Sequence, residues 1–328
     1  MTQTPKPALA QIIDSARVVS LPMRTRFRGL LERETMLFEG PFGWTEWSPF
    51  TEYEDAEAAT WLAAAIDFGW AEPPRVKRSS IGVNATLAAV APEAVEQQLA
   101  RFGEFNTVKI KVAEPSQSLD QDFARVATVR EIYPQARIRL DANGGFSIQA
   151  ALELSQRLQD ASIELEYFEQ PVASVDELYQ LRQLLNPMGV RIAADESVRK
   201  AEDPLAVAAA GAADLLVLKA APLGGIRRAL KIAEQAGLPW VVSSALESSV
   251  GIGMGAHLAA LNPNDFDSGL ATVNLFAGDV SASPLAPKNG QLPVQRAVAD
   301  PSRLEVFAAE DHRYDWWIER LERCYQLV

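Results

Sequence analysis

Between residues 81 and 248, short apolar runs alternate with longer stretches in which apolar positions recur every three or four residues. The first pattern predicts strands buried on both faces, the second helices that lay one face on those strands. Residues 81–86 and 107–112 read as strands, and residues 92–102 as a helix that opens on a proline. Further strands end at Asp141, Glu169, Asp195, Lys219 and Ser243–Ser244, with helices over 149–158 and 175–185 between them. A regular strand–helix alternation predicts an α/β fold, either a closed β/α barrel or an open doubly wound sheet. The barrel is favoured, because chemistry-bearing residues sit at the ends of many successive strands rather than at one switch point.

The flanks follow other rules. Residues 1–80 combine an arginine-rich stretch, a hairpin signal at 38–44 and a helix at 56–68, which predicts an α+β capping domain. Residues 81–284 form the expected catalytic barrel. Residues 285–328 run loop-like into an amphipathic helix at 316–327 that is expected to pack back on the capping domain.

Asp141, Glu169, Asp195 and Lys219 are separated by 28, 26 and 24 residues (141 to 169, 169 to 195, 195 to 219). That is about one strand, one helix and two loops, so these residues recur at the C-terminal mouth of successive strands. Three carboxylates there suit a hard divalent cation such as Mg²⁺. Lys109 and Lys111 share one face of their strand, and their mutual repulsion is expected to lower the cost of losing a proton. With Lys219 about halfway round the barrel, the set suits removal of a proton next to a carboxylate.

Composition narrows the partners. Lys and Arg total 31 against 43 Asp and Glu, a net charge of −12, which repels nucleic acid and anionic membrane surfaces alike. One cysteine, Cys324, makes no internal disulfide, and two histidines offer little to zinc. The first ten residues lack the apolar run of a signal peptide and no long apolar span appears, so a cytoplasmic enzyme of a small carboxylate is expected.

The remaining motifs carry weaker signals. Ser243 and Ser244 precede a helix whose start is a candidate site for a substrate carboxylate. Gly251-Ile252-Gly253-Met254-Gly255 reads as close packing rather than a phosphate loop, and His257 on the same helix as structural. Residues 23–29 interleave Arg24, Arg26 and Arg28 with Phe27 and Gly29, the composition of a flap over an anionic substrate. Glu196, next to Asp195, alternates to the other strand face and reads as structural.

Lys-x-Lys, Asp-x-Asn, Glu-Gln-Pro, Asp-Glu-Ser and a strand-end lysine together resemble the muconate-lactonising branch of the enolase superfamily, whose sites use a Lys or His base with one or two Mg²⁺ ions. Residues 24–29, 43–50, 83–86 and 243–247 narrow the resemblance to the actinobacterial family of o-succinylbenzoate synthases. The resemblance implies a modified TIM barrel with Asp141, Glu169 and Asp195 as Mg²⁺ ligands. It implies Lys111 as the base, assisted by Lys109, with Lys219 facing the intermediate. Ser243, Ser244, Gly269, Arg26 and Asn143 would contact substrate. The reaction implied is dehydration of 2-succinyl-6-hydroxy-2,4-cyclohexadiene-1-carboxylate to 2-succinylbenzoate, a step of menaquinone biosynthesis. Racemisation of an N-succinylamino acid on the same machinery is the closest rival, and a non-catalytic barrel used for partner binding is a third reading. Phe146 stands where that family is expected to carry Trp.

Overall fold

The computed structural model describes residues 6–200 and 203–328. Near the N-terminus, β1 (Arg17–Phe27), β2 (Leu30–Gly40) and β3 (Gly43–Trp47) form an antiparallel sheet in that order. β1 and β2 pair up to Phe27↔Leu30, so the chain reverses at Arg28–Gly29, both at positive φ (52° and 76°). Two positive φ values are what a two-residue hairpin turn matching the strand twist requires. The helix Asp55–Trp70 covers this sheet, fixed by Trp47 Nε1 donating to Ala58 O (2.9 Å) and Thr45 Oγ1 to Ala65 O (2.9 Å).

The remaining strands are β4 (Ser80–Gly82), β5 (Ala85–Leu87), β6 (Thr107–Lys111), β7 (Arg137–Asp141), β8 (Leu165–Glu169), β9 (Ile192–Ala194), β10 (Leu215–Leu218), β11 (Trp240–Val242) and β12 (Gln291–Pro293). β5 to β11 make a seven-stranded parallel sheet in sequence order. Parallel bridges Val83↔Ser268 and Ser243↔Gly269 insert residues 268–269 between its two edges and close it into a barrel. Closure excludes the open doubly wound alternative.

Residues 81–86 are not the single strand their pattern predicts. Val83 N donates to Gly290 O and Asn84 N to Ser268 O, so the ladder partner changes within the stretch. β4 pairs antiparallel with β12, and β5 alone joins the barrel. Residues 92–102 are helical throughout and open on Pro92, with the α-helix Val95–Leu99 between two 3₁₀ turns, Pro92–Ala94 and Ala100–Phe102. The helices Leu119–Ile132, Ile148–Asp160 and Val175–Leu185 start on Ser118, Ser147 and Ser174, whose hydroxyls accept a first-turn backbone N–H.

Register organises the barrel interior in layers. Lys109↔Arg139↔Tyr167 lie side by side, and one layer nearer the mouth Lys111↔Asp141↔Glu169 do the same. In the lower layer Arg139 stacks on Tyr167 (4.8 Å) and bonds Glu166, Asn84 and the Asp267 carbonyl, sealing the barrel floor. At the C-terminus the helix Asp311–Tyr325 packs on Asp55–Trp70, with Trp317 edge-on to Trp47 (centroids 5.3 Å) and Arg323 paired to Asp55 (2.7 Å).

Candidate active site

The upper layer gathers the charged residues. Glu169 and Asp195 are fully buried and Asp141, Lys109, Lys111 and Lys219 nearly so, which is tolerated only because each charge has a partner. Lys109 Nζ reaches both Glu169 oxygens (2.9 Å each) and Asp141 Oδ2 (3.1 Å). Lys111 Nζ meets that same Asp141 oxygen at 2.7 Å and also donates to Asn143 Oδ1. Across the barrel, Lys219 Nζ pairs with Asp195 Oδ2 at 2.6 Å.

Arg199, which the sequence patterns did not single out, takes the other Asp195 oxygen at 3.1 Å. β9 ends at Ala194, and the chain then turns into the short helix Glu196–Arg199. Glu196 therefore does not sit on a strand face as expected. It accepts from Arg199 and, at 3.1 Å, from Asn143 Nδ2, which places it at the rim of the site. An i, i+4 acid–arginine pair was the available signal for Arg199.

Burial disfavours the Lys109 ammonium, but Asp141 and Glu169 outweigh it and raise its pKa well above the ordinary value. Glu169 is pushed up to about 7 by burial and by the Asp141 charge. For Asp141 and Asp195, burial is overcome by the adjacent cations, and both are held well below the usual carboxylate range.

The cleft above is lined by Lys109, Lys111, Asp141, Asn143, Arg199, Lys219, Ser243, Ser244 and Gly269, and from the capping sheet side by Phe27, Arg28 and Phe50. Arg28, not Arg26, reaches this cleft. Arg26 donates to Gly29 O (2.9 Å) and faces a neighbouring groove, whereas Arg28 stacks on Phe50 (3.9 Å) and donates to Tyr53 Oη (2.8 Å). Ser244 Oγ is bonded to Thr272 Oγ1 (2.8 Å). A Cβ on Gly269 would stand 2.6 Å from Ser243 Oγ, so only glycine leaves that wall intact.

The start of the helix Ser249–Ala260 is not free for a substrate carboxylate. Glu46 accepts from Ser248 N and Gly251 N, and Asp279 from Ser249 N. Protein carboxylates already use the donors that the sequence offered to a ligand. The glycines of this helix serve close packing: a Cβ at Gly255 would lie 2.7 Å from Leu270 Cδ2. His257 Nδ1 contacts Gly253 O at 2.8 Å within the helix, a structural arrangement.

Among the described residues, no three acidic, histidine or cysteine side chains enclose a ready-made metal cage, since Lys109, Lys111, Lys219 and Arg199 engage the carboxylate oxygens. The donor set nevertheless fits a hard cation: all three groups supply oxygen from adjacent strand ends, and crowding of Asp141 against Glu169 already drives the latter's pKa up. No helix among the described residues is long and apolar enough to cross a membrane.

Comparison with known proteins places this geometry. Residues 86–298 match the enolase C-terminal domain-like family and residues 18–69 the enolase N-terminal domain-like family. The o-succinylbenzoate synthase of Mycobacterium marinum is 50% identical over 326 residues, covering 99% of this chain and 98% of that protein. That of Mycobacterium tuberculosis is 50% identical over 323 residues, 98% of this chain and 97% of its own. Among solved structures, muconate lactonizing enzyme from Pseudomonas fluorescens superposes with a TM-score of 0.74 at 20% identity, covering 90% and 98% of the two chains. The L-Ala-D/L-Glu epimerase from Bacillus subtilis gives 0.72 at 23% identity, with 87% and 96% covered. These two likenesses establish the fold, a modified TIM barrel with a capping domain. Half-identity over nearly the whole length does more: the chain belongs to the o-succinylbenzoate synthase family of the enolase superfamily.

Proposed function

We propose that this chain dehydrates 2-succinyl-6-hydroxy-2,4-cyclohexadiene-1-carboxylate to 2-succinylbenzoate, a lyase reaction of menaquinone biosynthesis carried out in the cytoplasm. One observation carries the chemistry: Lys111 on β6 and Lys219 just beyond β10 line the same cleft, with β7, β8 and β9 and their carboxylates between them. A substrate bound there presents opposite faces to two lysines.

Asp141, Glu169 and Asp195 would hold the divalent cation on which enolase-superfamily sites depend, Mg²⁺ by its preference for oxygen ligands. Bound there, the cation supplies charge compensation for a substrate carboxylate that becomes more negative in the reaction. Lys109, locked by two carboxylates, keeps its proton and supplies positive charge. Lys111, with one carboxylate partner and Asn143, is the group that exchanges a proton. It takes the proton beside the substrate carboxylate, the C–H electron pair is drawn toward that carboxylate, and it then forms the ring double bond as the C–O bond of the hydroxyl breaks. The same lysine returns its proton to the departing oxygen, and water leaves with an aromatic ring formed. Lys219 faces the substrate carboxylate and the carbon beside it from the far side. Ser243, Ser244, Gly269 and Arg28 bound the space for the succinyl arm. We assign residues 1–80 to the cap, 81–284 to the barrel and 285–328 to the closing segment.

Racemisation of an N-succinylamino acid would use the same two lysines, whereas a dipeptide epimerase would need an acidic group for its substrate's free amino group, and Ser243, Ser244 and Ala245 offer none. Steady-state turnover of the cyclohexadiene acid beside N-succinylamino acids, with Mg²⁺, tests the reading. Dehydration is expected to dominate in kcat/KM. Racemisation without dehydration would contradict it.

A further inference from the structure

The turn that follows β11 lines the cleft with Ser243 to Leu246, yet it is held from outside the barrel. Leu246 has φ of 62°, a left-handed conformation that a γ-branched residue adopts only when its surroundings impose it. Three buried charged side chains impose it. Arg33, on β2 of the capping sheet, donates to Leu246 O (3.2 Å) and reaches Ala245 O (3.5 Å), while its other Nη2 contact is with Ser48 O. Glu46, on β3, accepts from Ser248 N (3.1 Å) and Gly251 N (3.0 Å) and from the Ser248 hydroxyl. Glu247 folds back to accept from Ala245 N at 2.6 Å. Gly251 makes room for the pair, since a Cβ there would lie 2.6 Å from Glu247 Cβ and 3.0 Å from Glu46 Cδ.

None of these three side chains lines the cleft, and buried charge is weak evidence for stability by itself. What the cluster does is convert the docking of the capping sheet into one fixed shape for the cleft wall. We propose that Arg33 and Glu46 are positioning residues: they clamp the 245–248 turn from the capping sheet, and through it set the affinity for the part of the substrate that lies against Ser243 and Ser244. This rests on the dehydration reading above. Lys111 on β6 and Lys219 after β10 make no hydrogen bond or ion pair with Arg33 or Glu46, so binding and chemistry separate.

The test is Glu46→Ala, which removes the oxygen that accepts from Ser248 and Gly251, and Arg33→Lys, which keeps the charge but loses the fork. For each, kinetics on the cyclohexadiene acid and amide hydrogen exchange of Ala245, Ser248 and Gly251 are measured on the full-length protein. KM is expected to rise about tenfold or more with kcat within twofold, and exchange to quicken at those amides before the rest of the barrel. Folded variants with parental KM, or with kcat falling and KM unchanged, overturn the proposal. If both variants fail to fold, the cluster is a stability element and the proposal is equally lost. A parent protein without dehydration activity but with the exchange pattern intact would instead strike the functional reading.

Discussion

Asp195 is shared between two cations of different origin: Lys219 holds Oδ2 at 2.6 Å and Arg199 holds Oδ1 at 3.1 Å. Removing Lys219 therefore leaves Asp195 buried but still paired. Lys219→Ala is expected to fold, to retain measurable dehydration and to lose racemisation of N-succinylamino acids completely, because only the second reaction needs a proton donor on that face. Parallel assays of the two reactions check this, and equal loss of both would refute the division of labour.

Lys109 and Lys111 converge on one oxygen of Asp141, at 3.1 and 2.7 Å, but only Lys109 also neutralises Glu169. Lys109→Ala leaves Asp141 paired with Lys111 but strips buried Glu169 of its ion-pair partner. Breaking such a pair costs about 3–5 kcal/mol, whereas Lys111→Ala leaves Asp141 paired and is expected to cost clearly less. Urea unfolding of both variants in the presence of a chelator compares the two, and equal losses would contradict the assignment.

The strand ends were legible because the β/α period forces a spacing, and a period of two forces Lys109 and Lys111 to one face. Arg28 was not separable from Arg26, since alternation read from sequence puts both on one face, whereas β1 ends at Phe27 and Arg28 falls in the turn that aims it at the cleft. The occupied helix start was invisible for another reason. Its occupant, Glu46, is 202 residues from Ser248 in sequence, and no local pattern reports a contact between a cap strand and a barrel loop.

Arg28 and Arg26 give a direct contrast. Arg28→Ala removes a guanidinium from the cleft wall and is expected to raise KM about tenfold, the scale of one charge-assisted hydrogen bond. Arg26→Ala is expected to leave KM within twofold. The reverse order would show that the tip of the β1–β2 hairpin sits differently when substrate binds.

Burial pushes the Glu46 carboxyl up to about 7, against the Ser248 hydrogen bond that lowers it. An acid whose folded pKa exceeds its ordinary value of 4.5 contributes stability that is complete below 4.5 and lost as pH rises through 7. Glu46 therefore adds, beside Glu169, to a decline of stability between those limits, and Glu46→Gln should make that decline shallower. Chemical denaturation at a series of pH values from 4.5 to 7.5 reads the slope directly. An unchanged slope in the variant would assign the decline to other groups.

The central claim is that Lys111 moves the proton. Its most direct test is the dehydration rate of folded Lys111→Ala at saturating Mg²⁺ and substrate. General acid–base groups contribute about 10²–10⁴-fold, so a fall in kcat of at least that size is predicted, with the fold and metal affinity retained. A variant that turned over the cyclohexadiene acid as fast as the parent would contradict the account.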